Sequence, residues 1–191
     1  MLILASSSPR RRDLLTQAGI AFTIQPADID ESRRPDEAPI AFATRLAREK
    51  AEAVFRKNPG SIVLGADTIV VRDEEILCKP KDRADAARIL RLLSGRTHQV
   101  ITGVAVISQT ATKIAAETTH VTMRDLTEKE ITAYIATGEP MDKAGAYAIQ
   151  GGASSFVTHT DGDYTNVIGL PIALVKKLLV EMYSKLGADC S

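Results

Sequence analysis

The stretch SIVLGADTIVV, residues 61–71, constrains the fold of this chain more than any other. It is β-branched and apolar almost throughout, where a half-exposed strand would alternate. That pattern is the signature of a buried strand, and such strands belong to sheets covered on both faces. Amphipathic segments elsewhere can supply the cover. A helix of about Ile40–Lys57 is stopped by NPG, and RADAARILRLLSG is a second helix ending at Gly95. TEKEITAYIATG has a Thr127 cap with Glu130 in the capping-box position, and LPIALVKKLLVEMYSKLG is the last helix. Further strands are expected at Leu2–Ala5, in IAFTIQ and in SSFVTHT. HQVITGVAVIS and TKIAAETTHVTM are joined by a polar turn and read as a hairpin. ADIDESRRPDEAP and EPMDKAGAYAIQGG read as loops, and DGDYTN as a turn. Helices alternating with strands, plus one antiparallel hairpin, predict an α/β fold with a mixed twisted sheet flanked by helices. With 191 residues and no repeat or low-complexity linker, residues 1–191 are expected to form a single domain.

Composition removes several function classes. Lys plus Arg and Asp plus Glu both total 24, so there is no basic excess for a nucleic-acid polymer. Four Tyr, four Phe and no Trp make a poor stacking platform for single strands. No apolar run is long enough to span a membrane, and Met1–Ala5 is too short for the core of a signal peptide. Cys78 and Cys190 form neither a disulfide framework nor a metal-type spacing. The expectation is a cytoplasmic protein.

Polar groups stand in four places where a plain core would not want them. In ASSSPRRRDLL, residues 5–15, a strand stops in a serine-rich turn and Pro9 opens a helix. The positive end of a helix disfavours cations, yet Arg10, Arg11 and Arg12 sit there. Backbone N–H groups at such a turn form an anion site, and forked guanidinium donors suit phosphate oxygens. A solvated basic turn paired with Asp13 is the plainer reading. There is no G-x-x-x-x-G-K-[ST] loop. Asp67 interrupts the apolar run of residues 61–71; a carboxylate there must be paired, bind a metal, or end in a cleft. Lys79 precedes Pro80, which holds the backbone extended. EPMDKAGAYAIQG, residues 139–151, concentrates small residues around Lys143, Tyr147 and Gln150, as a binding loop would. The acidic DIDE, Asp28–Glu31, reads equally as a Mg²⁺ ligand or a solvated loop. His98, His120 and His159 lack zinc-ligand spacing, and Ser6–Ser8 lack a nucleophile elbow.

LASSSPRRRDLL, LAREKAEAV, LGADTIV, KPKD, LSGRTHQVITGVAV, EPMDKAGAYAIQG and DGDYTNVIGLPI follow one another in that order. From Leu2 to about Leu179 the chain strongly resembles the Maf family of nucleoside triphosphate pyrophosphatases. The resemblance implies a fold like that of the inosine triphosphatase group, with a cleft between two lobes. It also implies hydrolysis of a nucleoside triphosphate to the monophosphate and pyrophosphate with a divalent cation. The family's Ser-x-Ser-Pro-Arg-Arg motif falls on Ser6, Ser8, Pro9, Arg10 and Arg11, its helix lysine on Lys50 and its Lys-Pro lysine on Lys79. Its catalytic aspartate, described as the proton acceptor, falls on Asp67. The chain looks like the subgroup that prefers dTTP and UTP, whose specificity positions fall on Arg10, Thr68 and Gln150. Another subgroup acts on 7-methyl-GTP and differs where this chain has AGAYAIQG. Asp13 departs from the family's usual Glu.

On this reading Ser6, Ser8, Arg11, Lys50 and Lys79 hold the phosphates. Mg²⁺ or Mn²⁺ bridges them to Asp67, with Glu31 as an additional ligand. An unperturbed carboxylate is a weak base, so activation of water by the metal is expected to outweigh proton abstraction by Asp67 alone. The rival classes are a non-hydrolytic nucleotide-binding regulator of cell division and a plain interaction scaffold. Asp67 argues against the first, since a pure phosphate binder gains nothing from a carboxylate beside its ligand. The partner expected is the nucleoside triphosphate, and a homodimer is left open.

Overall fold

The computed structural model describes residues 1–188; Cys190 lies outside them. In chain order the elements are β1 (Leu2–Leu4), α1 (Pro9–Gln17), β2 (Thr23–Ile24), α2 (Pro39–Phe55), β3 (Ile62–Arg72), β4 (Glu75–Leu77) and α3 (Arg83–Leu93). Then come β5 (Thr97–Ile107), β6 (Thr112–Met123), α4 (Glu128–Ala136), β7 (Val157–Asp161), α5 (Tyr164–Ile168) and α6 (Ile172–Ala188). The strands form one seven-stranded sheet in the order β2-β1-β3-β5-β6-β7, with β4 on β3. β1 runs parallel to both β2 and β3, whereas β3–β4 and β6–β7 are antiparallel. The mixed α/β sheet expected from the sequence is therefore present.

Local chemistry explains the element ends. Ser8 caps α1 by accepting from the Arg11 amide, and Pro9 supplies the fixed φ of the first turn. Thr127 and Glu130 form the full capping box of α4. Three readings are corrected. IAFTIQ yields a strand only at Thr23–Ile24, β4 was not anticipated, and the DGDYTN turn runs into the short helix α5. The loop after α4 contains short 3₁₀ turns at Glu139–Asp142 and Ala144–Ala146.

The chain divides into two compact units. Of the described residues, the first takes Met1–Asp67, Thr102–Glu117 and 169–188; the second takes Thr68–Ile101 and Thr118–Ile168. In the first, α2 lies on the sheet, with Ala47, Ala51 and Val54 packed against Ile3, Ala5, Val63, Ala105 and Ile107. Its approach is unusually close. A Cβ at Gly65 would stand 2.2 Å from the Ala47 carbonyl oxygen, and one at Gly103 would stand 2.3 Å from that of Ala43. Only glycine leaves room for backbone against backbone at those two points. In the second unit, Tyr134 packs edge-on against Phe156 and His98 edge-on against Tyr147. Among the described residues no helix is long and apolar enough to cross a membrane.

Candidate active site

The buried face of α2 comprises Phe42, Ala43, Leu46, Ala47, Lys50, Ala51 and Val54. These positions recur with helical spacing, so they form one stripe turned to the core. Lys50 lies on that stripe, one turn past the close approach at Gly65. An ammonium placed there requires partners. It has two: Asp67 Oδ1 on β3 at 2.6 Å and Glu31 Oε1 at 2.8 Å. The side chains of Lys50 and Asp67 are each 11% exposed, whereas that of Glu31 is 55% exposed. Asp67 is therefore paired, one of the three states open to a carboxylate in an apolar strand. Glu31 belongs to the same charge cluster.

The opening turn builds the other side. β1 delivers Ser6, which is buried, and its Oγ accepts from the Ser8 amide and from Arg11 Nη1. Arg11 Nε donates to the Gly169 carbonyl at 2.8 Å, and Nη1 donates to the Ala66 carbonyl at 2.8 Å. So Arg11, singled out for phosphate, gives donors to the protein's own backbone and braces β3 at the residue before Asp67. Its surroundings lower its pKa, chiefly by desolvation, while the Asp67 and Glu31 charges oppose that shift and Arg10 adds to it. The first unit thus gathers Ser6, Ser8, Arg11, Glu31, Lys50 and Asp67, with Arg10 close enough to act on Arg11 electrostatically. Arg12, the third arginine of the turn, pairs with Asp13 in solvent.

The remaining sequence-derived positions belong to the second unit. Thr68 follows Asp67 on β3 and is partly buried; Lys79 is exposed before a buried Pro80; Gln150 is exposed in the loop after α4. Of the other polar groups in that loop, Lys143 pairs with Asp142, and Tyr147 is buried with its hydroxyl 2.8 Å from His98 Nε2. Burial and the charge of Arg72 push His98 down to about 4, so the imidazole is neutral at neutral pH.

Sequence reasoning missed an anchor for the loop that carries Glu31. Arg45 of α2 holds Glu37 through Nε and Nη2 at 2.6 and 2.8 Å, pairs with Glu49, and donates from Nη2 to the Ser32 carbonyl. The Arg45 guanidinium holds Glu37 down to about 2, against the opposing effect of burial. The Arg45–Glu49 pair at i, i+4 was the available signal.

Two carboxylates, a buried lysine and a braced arginine thus lie beside a serine-rich helix start in the first unit. The Maf-like protein family model matches residues 1–182, and the chain belongs to that family. Proteins named dTTP/UTP pyrophosphatase are close in sequence. That of Koribacter versatilis is 53% identical over 178 residues, 93% of this chain and 92% of the relative. That of Geobacter sulfurreducens is 52% identical over 189 residues, covering 98% and 97%. The Bacillus cytotoxicus protein is 51% identical over 177 residues, covering 92% and 93%.

Proposed function

We propose that this chain hydrolyses dTTP and UTP to the nucleoside monophosphate and pyrophosphate. The observation that carries the reading is the meeting of Asp67, Glu31 and Lys50 beside Arg11. Water attacks the α-phosphorus, the bond to the β-phosphate breaks, and Asp67 takes the water's proton as pyrophosphate leaves. Lys50 and Arg11 spread positive charge over the phosphates, and Lys79 and the Ser6–Ser8 turn add donors. Because Arg11 is partly committed to backbone, it serves by charge and by fixing Asp67 as well as by contact.

A divalent metal fits the donor set. Asp67 and Glu31 both turn a hard carboxylate oxygen to the Lys50 ammonium, so they lie close together, and Mg²⁺ commonly takes one or two carboxylates plus substrate phosphates. Those two side chains would hold Mg²⁺ or Mn²⁺, which when bound neutralises the triphosphate and polarises its oxygens. Arg10, Thr68 and Gln150 read the base. The Gln150 amide offers both a donor and an acceptor, matching the N3–H and 4-keto group of uracil and thymine. Cytosine inverts that pattern and would mispair with an amide held in one orientation, so CTP is expected to be a poor substrate. The whole chain acts as one domain, in the cytoplasm.

The test is incubation with dTTP, UTP, CTP and 7-methyl-GTP in the presence of Mg²⁺, scoring pyrophosphate and monophosphate. Release of pyrophosphate from dTTP and UTP is expected. Release of inorganic phosphate with diphosphate, or no turnover, would overturn the reaction. A preference for 7-methyl-GTP would overturn the substrate alone.

A further inference from the structure

We infer that Glu139, acting with Tyr134, is a positioning residue that sets the specificity of Gln150. The inference rests on the reading of Gln150 as the base-contacting residue. Gln150 is exposed on a loop, and an exposed amide discriminates between bases only if its backbone is fixed. The structure fixes it from both sides. Two residues before it, the Ala148 amide donates to the Tyr134 hydroxyl at 3.1 Å. Two residues after it, the Gly152 amide donates to Glu139 Oε2 at 2.9 Å. The two grips are neighbours: a Cβ on Gly152 would meet the Tyr134 ring at 3.2 Å and Glu139 Oε2 at 3.3 Å.

The anchors are themselves held. Tyr134 is buried on α4, with its ring edge-on to Phe156 at 5.3 Å. Burial first, and Glu139 second, raise its pKa, so the hydroxyl stays protonated. Glu139 fills the space a side chain would take at residue 151: a Cβ on Gly151 would stand 2.0 Å from Oε1. A turn closed from the Gly151 amide to the Ala148 carbonyl at 3.0 Å completes the clasp around Gln150. Charge-assisted bonds of this kind are stronger than neutral ones, which suits a carboxylate to the task.

The experiment measures kcat/KM for dTTP, UTP and CTP in wild type, Gln150→Ala, Glu139→Ala, Glu139→Gln and Tyr134→Phe, with a melting curve for each. In Glu139→Ala the UTP-over-CTP ratio is expected to fall on the order of 10- to 100-fold, the scale of a misplaced contact. The loss should fall on dTTP and UTP, with CTP nearly unchanged. Glu139→Gln keeps an acceptor and should retain most of the ratio; Tyr134→Phe should fall between. Adding Glu139→Ala to Gln150→Ala should lower the ratio no further, because both remove the same contact. A wild-type ratio in folded Glu139→Ala, with a collapsed ratio in Gln150→Ala, would overturn the inference and leave Gln150 in place. So would an equal loss on all three nucleotides in Glu139→Ala and Tyr134→Phe. If Glu139→Ala does not fold, Tyr134→Phe decides by the same ratio. A wild-type ratio near one, or one untouched by Gln150→Ala, would remove the Gln150 reading and this inference with it.

Discussion

Replacing Lys50 with methionine tests the centre of the site without changing its size greatly. The variant leaves Asp67 in a position where its side chain is 11% exposed, without the ammonium at 2.6 Å. Removing one member of a buried ion pair costs about 3–5 kcal/mol, because the other charge is stranded. The lower end applies here, since Arg11 still acts on Asp67 through space. Glu31, 55% exposed, is resolvated at little cost, as exposed pairs contribute little. A loss of about 3 kcal/mol follows, and at roughly 2–4 °C per kcal/mol for a chain of this size Tm should drop by about 6–12 °C. Calorimetry on Lys50→Met, Asp67→Asn and the double variant completes the cycle. The double variant should be more stable than the sum of the single losses implies, since it strands no charge. Mg²⁺ without nucleotide should raise Tm more in Lys50→Met than in wild type, as a second cation replaces the first between the carboxylates. A Tm within a degree or two of wild type, with additive losses, would show that water screens the cluster and refute the argument.

Three further outcomes follow from the same geometry. Asp67→Asn should lower kcat by roughly 10²–10⁴, the range for acid–base groups. Its fold should survive, because the Asn carbonyl still accepts from Lys50; near-normal turnover would remove Asp67 from the chemistry. Arg11→Ala should slow dTTP and UTP hydrolysis equally and also lower Tm, since the Gly169 and Ala66 carbonyls lose a charged donor worth about 1.5–3 kcal/mol; a base-dependent loss would mean that Arg11 reads the base. Glu37, held down to about 2 from 4.5 by Arg45, stabilises the fold above the higher value and loses that contribution as pH falls through the lower. Glu37→Gln should therefore be less stable at neutral pH and lose less on acidification between those two values; parallel curves for the two proteins would contradict the assignment.

The parts of the fold that were legible are those where burial dictates residue type. An apolar, β-branched run such as residues 61–71 has few alternatives, and β3 occupies Ile62–Arg72. Capping chemistry is equally local, and Thr127 with Glu130 starts α4 as written. Elements held by distant contacts were not legible. β4 carries no apolar run of its own and exists through its ladder with Val70, Val71 and Arg72. IAFTIQ alternates over its whole length, yet only Thr23 and Ile24 pair in register with β1, where the Gln25 amide then donates to the Leu4 carbonyl.

The same division runs through the site. Asp67 stood out because a carboxylate in an apolar strand is costly unless something answers it. Lys50 answers it, and the α2 stripe would have exposed that lysine as a buried charge; the family resemblance reached it first. Arg11 could not be read in this way. A guanidinium serves phosphate, carboxylate and carbonyl alike, and its Gly169 partner lies 158 residues away. The two carboxylates are held by unlike means. Asp67 is fixed by β3, by burial and by Arg11 bracing the preceding carbonyl, so its position is set by the fold itself. Glu31 stands on an exposed loop, next to the Ser32 carbonyl that Arg45 grips. A substrate or cation entering the cluster therefore meets one acceptor set in a buried strand and one on an exposed loop that Arg45, on the same helix as Lys50, helps to hold.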